Sequence, residues 1–132
     1  MEVGEKTTVT VAAKPPWNDT GVRLEAGRTY RMSALGEWVD WRIPCGPAGY
    51  PSPNPIMRLA ERFRRAPVDP WFALIGAMDR NSSSQFLIGA EYVYRPTRSG
   101  QLTCFANDVP GFYWNNTGEV ELTIERLDSP AG

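Results

Sequence analysis

Apolar and polar residues alternate over short stretches along most of the chain, the period-two pattern that sets one face of an extended strand against a core and the other in water. Residues 7–13 place Val9, Val11 and Ala13 on one side, and residues 29–34 do the same with Tyr30, Met32 and Ala34. Further strands are predicted at 37–41, 71–78, 86–89, 92–95, 101–106 and 119–125, the last with Val120, Leu122 and Ile124 facing inward. Gly27, Gly36, Gly89, Gly100 and Gly118 read as the turns between them. Many short strands punctuated by Gly and Pro predict an all-β fold, an antiparallel β-sandwich or jelly roll, rather than strands alternating with helices.

Two stretches break the pattern. Residues 44–55 carry five prolines and two glycines, which fits neither a helix nor an interior strand and predicts a long surface loop. Residues 57–65 predict at most one short helix, with Met57, Leu59, Ala60 and Phe63 loosely on one side and a solvated face of Arg58, Arg62, Arg64 and Arg65. No repeat or linker divides the sequence, so residues 1–132 are expected to form a single domain, long enough to bury a core without staples.

Charge and composition narrow the chemistry. A net charge of −1 gives no field to draw nucleic acid. No run approaches the roughly 20 apolar residues that span a bilayer, and the chain opens on alternating charges rather than a classical signal peptide. With no histidine, Ser-His-Asp and Cys-His catalysis are excluded, and two cysteines alone complete no structural zinc site. Cys45 and Cys104 are either paired or two separate thiols; their spacing does not decide. Trp17, Trp38, Trp41 and Trp71 read as core or loop packing.

The segment 108–118 reads Asp-Val-Pro-Gly-Phe-Tyr-Trp-Asn-Asn-Thr-Gly. It gathers one carboxylate and two adjacent side-chain amides around a Pro-Gly turn, a set of hard oxygen donors suited to calcium rather than to a softer metal. The alternating acids of an EF-hand are missing. A single Asp leaves the ion with excess positive charge, able to polarise neutral hydroxyls such as those of a sugar. The same residues are also good turn formers without any metal.

Asn107 to Gly118 followed by a strand resembles the metal and sugar loop of the LecA-type galactophilic bacterial lectins. Residues 17–22, Trp-Asn-Asp-Thr-Gly-Val, the Gly-Pro-Ala-Gly at 46–49 and the Ala-Leu-Ile-Gly at 73–76 follow in the family's order, so the similarity spans nearly the whole chain, with 108–118 its specific part. The resemblance implies a galactose-binding-domain-like β-sandwich that binds sugar through calcium and is not an enzyme. It implies Asp108, Asn115 and Asn116 as side-chain calcium ligands and the Phe112 backbone carbonyl as another. A further backbone carbonyl falls at Asp40 by spacing from Gly36 and at Val39 by spacing from Gly46; Asp40 is preferred. Asp108, Asn115 and Asn116 would also hydrogen-bond two vicinal hydroxyls of galactose, and Val109 would touch the sugar.

The chain departs from the family in the long loop, where galactose binders use a His and a Gln. It offers Pro53 and Asn54 in their place. Trp114, directly before the Asn pair, is expected to project beside the sugar while Phe112 and Tyr113 fill the core. The expected partner is a carbohydrate, galactose or a galactoside-type glycan, met outside the cell or at its surface. Weak single sites would favour a homo-oligomer or a multidomain parent. The alternatives are a calcium-stabilised interaction module that binds no glycan, and a hydrolase pairing Asp40 with Asp108.

Overall fold

The computed structural model describes residues 1–127, in which nine strands form two antiparallel sheets. In the first, β1 (Lys6–Ala12), β9 (Asn116–Arg126), β3 (Tyr30–Asp40) and β4 (Ile43–Cys45) lie in that order, and β7 (Glu91–Tyr94) pairs with the opening residues of β3 on the edge away from β9. The second sheet runs β2 (Asn18–Leu24), β8 (Gly100–Ala106), β5 (Leu74–Met78) and β6 (Phe86–Leu87). One short helix, α1 (Pro55–Ala60), continues into a 3₁₀ turn at Glu61–Phe63.

The expected alternation is realised on the first sheet. Val11, Ala13, Tyr30, Met32, Ala34, Val120, Leu122 and Ile124 are all buried against Leu24, Leu74, Leu102 and Cys104 of the second. Trp38 and Phe72 meet edge to face at 5.5 Å near one end of this core, each such apolar side chain contributing about 1.5–3 kcal/mol by leaving water. The second sheet is buried on both faces: Ile75, Phe105 and Ala73 form a smaller cluster with Ala66 and Trp17. The chain through Arg64 and Ala66 therefore covers the outer face of β5 and β8, which explains why these strands are apolar almost throughout.

The structure corrects several expectations. The strands expected at 29–34 and 37–41 are one strand, β3 (Tyr30–Asp40), with Gly36 inside it at φ +117. A Cβ on Gly36 would lie 3.3 Å from the Val120 Cα, and one on Gly118, at φ +85, 3.0 Å from the Trp38 Cα. Both glycines permit close approach of β3 and β9 instead of forming turns, and Gly100 likewise opens β8. Strand β2 arises where none was expected, and β4 occupies the start of the proline-rich loop. Cys45 and Cys104 are free thiols. Of the arginines, Arg64 is buried, its guanidinium 4.9 Å from the Trp71 ring and donating to the Pro67 carbonyl at 2.6 Å. Arg65 lies 3.4 Å over the Phe105 ring. Only Arg58 and Arg62 are exposed among the four.

Candidate functional site

The end of β3 and the start of β9 pair at Asp40 and Asn116. Trp41, at φ +57, turns the chain back so that Asp40 also pairs with Ile43 of β4. The third contributor follows β8. Asn107 is fully buried; its Oδ1 accepts from the Ala66 N–H at 2.9 Å, and its Nδ2 donates to the carbonyls of Ala66, Asp69 and Pro70 at 2.9, 3.1 and 2.9 Å. This cradle holds the covering segment and sets Asp108 at the mouth of the sandwich. The Phe112 N–H then closes a turn on the Val109 carbonyl at 3.1 Å, and the Tyr113 hydroxyl donates to the Ala106 carbonyl at 2.5 Å. The 3₁₀ turn Tyr113–Asn115 ends on Asn115 and leads directly into Asn116, the first residue of β9.

These elements enclose a cleft of about 490 Å³. Asp40, Asp108 and Asn115 supply its polar lining, and Trp41, Ile43, Met57, Ala60, Phe63, Trp71, Val109 and Phe112 its apolar walls. Asp108 Oδ1 accepts from the Val109 N–H at 2.7 Å. The other Asp108 oxygen, Oδ2, is buried with no donor, as are the amide oxygens of Asn115 and Asn116. Among the described residues these three are the only buried side-chain oxygens left without a partner. A buried acceptor without a donor is costly, and three of them contributed by one loop call for a positively polarised partner. No three His, Cys, Asp or Glu side chains are grouped among the described residues; the donors are amide and carboxylate oxygens, which fit a hard cation.

Electrostatics follow the same geometry. Burial, reinforced by the nearby Asp40 charge, pushes the Asp108 carboxyl up to about 6, against the pull of the Val109 N–H and the Asn116 side chain. Asp40 is also raised by burial, offset by the hydrogen bond it accepts from the Tyr50 hydroxyl. Tyr50 is raised in turn by its own burial and by that bond to Asp40. Two carboxylates disfavoured as anions in one cleft form a locus that gains from added positive charge.

The structure brings Asp40, Asp108, Val109, Phe112 and Asn115 around one cleft, with Asn116 fully buried next to them and its Nδ2 donating to the Ala13 carbonyl at 3.3 Å. It sets three other residues apart. Asn54 caps α1, its Oδ1 accepting from the Met57 N–H at 2.8 Å, and with Pro53 it lines a different hollow. Trp114 is 71% exposed and lines another hollow on the far side of the loop. Phe112 does not fill the core: it is 54% exposed, unlike Tyr113. Trp71 is buried as expected, but Trp41 is 60% exposed at the cleft. Tyr50 and the wall residues Trp41, Phe63 and Trp71 went unassigned because their positions in irregular segments carry no periodic signal. Asn107 was legible only as the residue directly before Asp108.

The two facing sheets and the oxygen-lined cleft at their end define a β-sandwich binding module. No family profile matches the chain. It is 30% identical over 122 residues to Lectin A of Photorhabdus laumondii subsp. laumondii, covering 84% of each sequence. The solved EclA N-terminal domain, a PllA-like lectin, superimposes with a TM-score of 0.65 at 21% identity, over 90% of this chain and 94% of that one, which establishes the fold. The chain belongs to the LecA-type family of bacterial lectins, and its function is carbohydrate binding of the lectin kind.

Proposed function

We propose that the protein is a calcium-dependent lectin that takes a terminal hexose of the galactose type in the Asp108 cleft. The observation that carries this reading is the trio of buried oxygens without donors, Asp108 Oδ2, Asn115 Oδ1 and Asn116 Oδ1. These three side chains would hold the ion, with the backbone carbonyls of Phe112 and Asp40 as further protein ligands. Calcium takes about six to eight oxygens, so one bound here would have positions left for sugar hydroxyls. The Asp108 carboxylate and the Asn amides would exchange hydrogen bonds with those hydroxyls. Val109 and the exposed rings of Trp41, Phe63 and Phe112 present apolar faces to the C–H surface of a pyranose and exclude water from its polar contacts.

Galactose rests on the resemblance of residues 108–118, since Pro53 and Asn54, which stand where related binders use a His and a Gln, line a different hollow. Calorimetry of galactose and mannose, each with calcium and with chelator, tests both parts. Heat from galactose only with calcium supports the reading; equal heats with chelator overturn the metal's role, and a mannose preference overturns the sugar. A second reading is favoured by Asp40 and Asp108 sharing the cleft with raised proton affinities: a hydrolase with a carboxyl pair. Release of nitrophenol from an aryl galactoside, abolished in Asp108→Asn, would support it.

A further inference from the structure

The Asp108–Gly118 loop has two sides. Residues Asp108, Val109, Phe112 and Asn115 face the cleft already described, whereas Pro110, Gly111, Tyr113 and Trp114 face a second hollow of about 560 Å³. Pro16, Trp17, Arg65 and Ser82 complete it. Between the two lies a single tight turn, closed by the Phe112 N–H on the Val109 carbonyl at 3.1 Å, whose end residues Val109 and Phe112 line the cleft and whose central residues Pro110 and Gly111 line the second hollow. The floors are tied together as well: the Arg65 N–H donates to the Asp108 carbonyl at 3.1 Å.

The second hollow is built rather than incidental. Trp17 packs edge to face on Phe105 at 5.2 Å, which anchors its ring in the small cluster outside β5 and β8. Arg65 lies 4.6 Å from the Trp17 ring and 3.4 Å from that of Phe105, donating from Nη1 to the Pro16 carbonyl and, at 3.0 Å, to the Tyr113 hydroxyl. These contacts fix the floor and one wall. Trp114, by contrast, keeps 71% of its surface in water although it sits in a loop held at both ends. An indole left exposed over a rigid aromatic and hydroxyl-bearing hollow offers a flat apolar face beside hydrogen-bonding groups, the pairing that suits a pyranose with its C–H face and ring of hydroxyls.

We propose that the Trp17–Trp114 hollow is a second saccharide subsite, which stacks a further sugar residue of the glycan whose terminal hexose occupies the Asp108 cleft. The inference rests on that reading of the cleft and makes the ligand an oligosaccharide lying over the Pro110–Gly111 crest. Continuity of the two hollows across one turn favours a single extended ligand. The hollow contains none of the buried donor-free oxygens, so its contribution comes from ring stacking and not from the metal.

The test measures binding of methyl β-galactoside and of a panel of galactose-terminated tri- to pentasaccharides by calorimetry, in calcium and in chelator, for the wild type, Trp114→Ala and Trp114→Tyr. At least one oligosaccharide is expected to bind the wild type roughly three- to tenfold tighter than the methyl galactoside. Trp114→Ala removes that gain and leaves methyl galactoside affinity and melting temperature unchanged, whereas Trp114→Tyr keeps most of it. If the methyl galactoside binds with calcium but no oligosaccharide gains, or the gain survives in Trp114→Ala, the subsite is wrong and the cleft reading stands. If nothing binds in calcium, both fall. Sedimentation run alongside tests a second copy as occupant: a shift to monomer in Trp114→Ala with the oligosaccharide gain intact makes the hollow a subunit contact and overturns the proposal.

Discussion

Asp108 sits in surroundings that disfavour its charge. Its carboxyl titrates near 6 instead of 3.8, first because it is buried and then because Asp40 lies close. Between those values the folded, metal-free chain holds a proton that the unfolded chain has released. The stability this provides is full below about pH 4 and is lost as pH rises through about 6, a span worth on the order of 2–3 kcal/mol. In chelator, Asp108→Asn should therefore gain stability over the wild type between pH 4.5 and 7; a difference in melting temperature that does not change with pH contradicts the shift. The proposed calcium site uses the Asp108 anion, so stabilisation of the wild type by added calcium is expected to shrink as pH falls through 6. Asn107 works on the same loop without touching the cleft. Removing its amide leaves the Ala66 N–H and the Asp69 carbonyl without a partner in a dry setting, while the Ala66 and Pro70 carbonyls keep the Asp69 and Ala73 N–H groups, and Asn107→Ala should cost about 3 kcal/mol in denaturant unfolding. A loss below about 0.5 kcal/mol would mean that water replaces the side chain.

The elements show which signals the sequence carried and which it hid. Strands β1 and β9 were legible because their apolar residues alternate without interruption, one face to the core and one to water. Strand β2 was not: only Val22 and Leu24 in it are buried apolar residues, and its pairing with β8 shifts register between Asp19 and Arg23, which breaks a period-two count. Strand β3 was cut in two because a glycine in sequence reads first as a turn, while Gly36 and Gly118 instead let β3 and β9 approach closely. That makes Gly118 informative for the site, two residues beyond Asn116. Gly118→Ala meets the Trp38 backbone and an unfavourable φ, and should lower stability by about 1–3 kcal/mol and weaken calcium binding through Asn116; a variant with wild-type melting and calcium response would show that the strand pair can relax. The 57–65 stretch was legible as a helix but not in its role. It buries no residue of α1 and serves as a wall of the cleft, capped by Asn54. Asn54→Ala should cost about 1 kcal/mol at that cap and Asn54→Ser almost nothing, as read from thermal melts; an equal loss in both variants would point to another role for Asn54.

At the level of the whole molecule, the two sheets provide a rigid frame whose one open end collects the loops after β3 and β8 and the covering segment behind α1. The loop residues proposed as metal ligands stood out in the sequence as a cluster because they lie within nine residues of one another, Asp108 to Asn116, whereas Asp40 joins them only through the fold. The walls of the cleft did not stand out, since Trp41, Phe63 and Trp71 come from three separate segments and meet only through the fold. A single solvent-facing site of this kind should bind a monosaccharide at roughly 0.01–1 mM, so function at a glycan-bearing surface calls for several sites in one particle. Calcium and sugar are proposed to meet at the three donor-free oxygens. Calorimetric titration of galactose into wild type and Asp108→Ala, each in millimolar calcium and in chelator, decides this. The expected result is saturable heat for the wild type with calcium alone, and none for the wild type in chelator or for Asp108→Ala under either condition. Equal galactose affinity in all four titrations would contradict it.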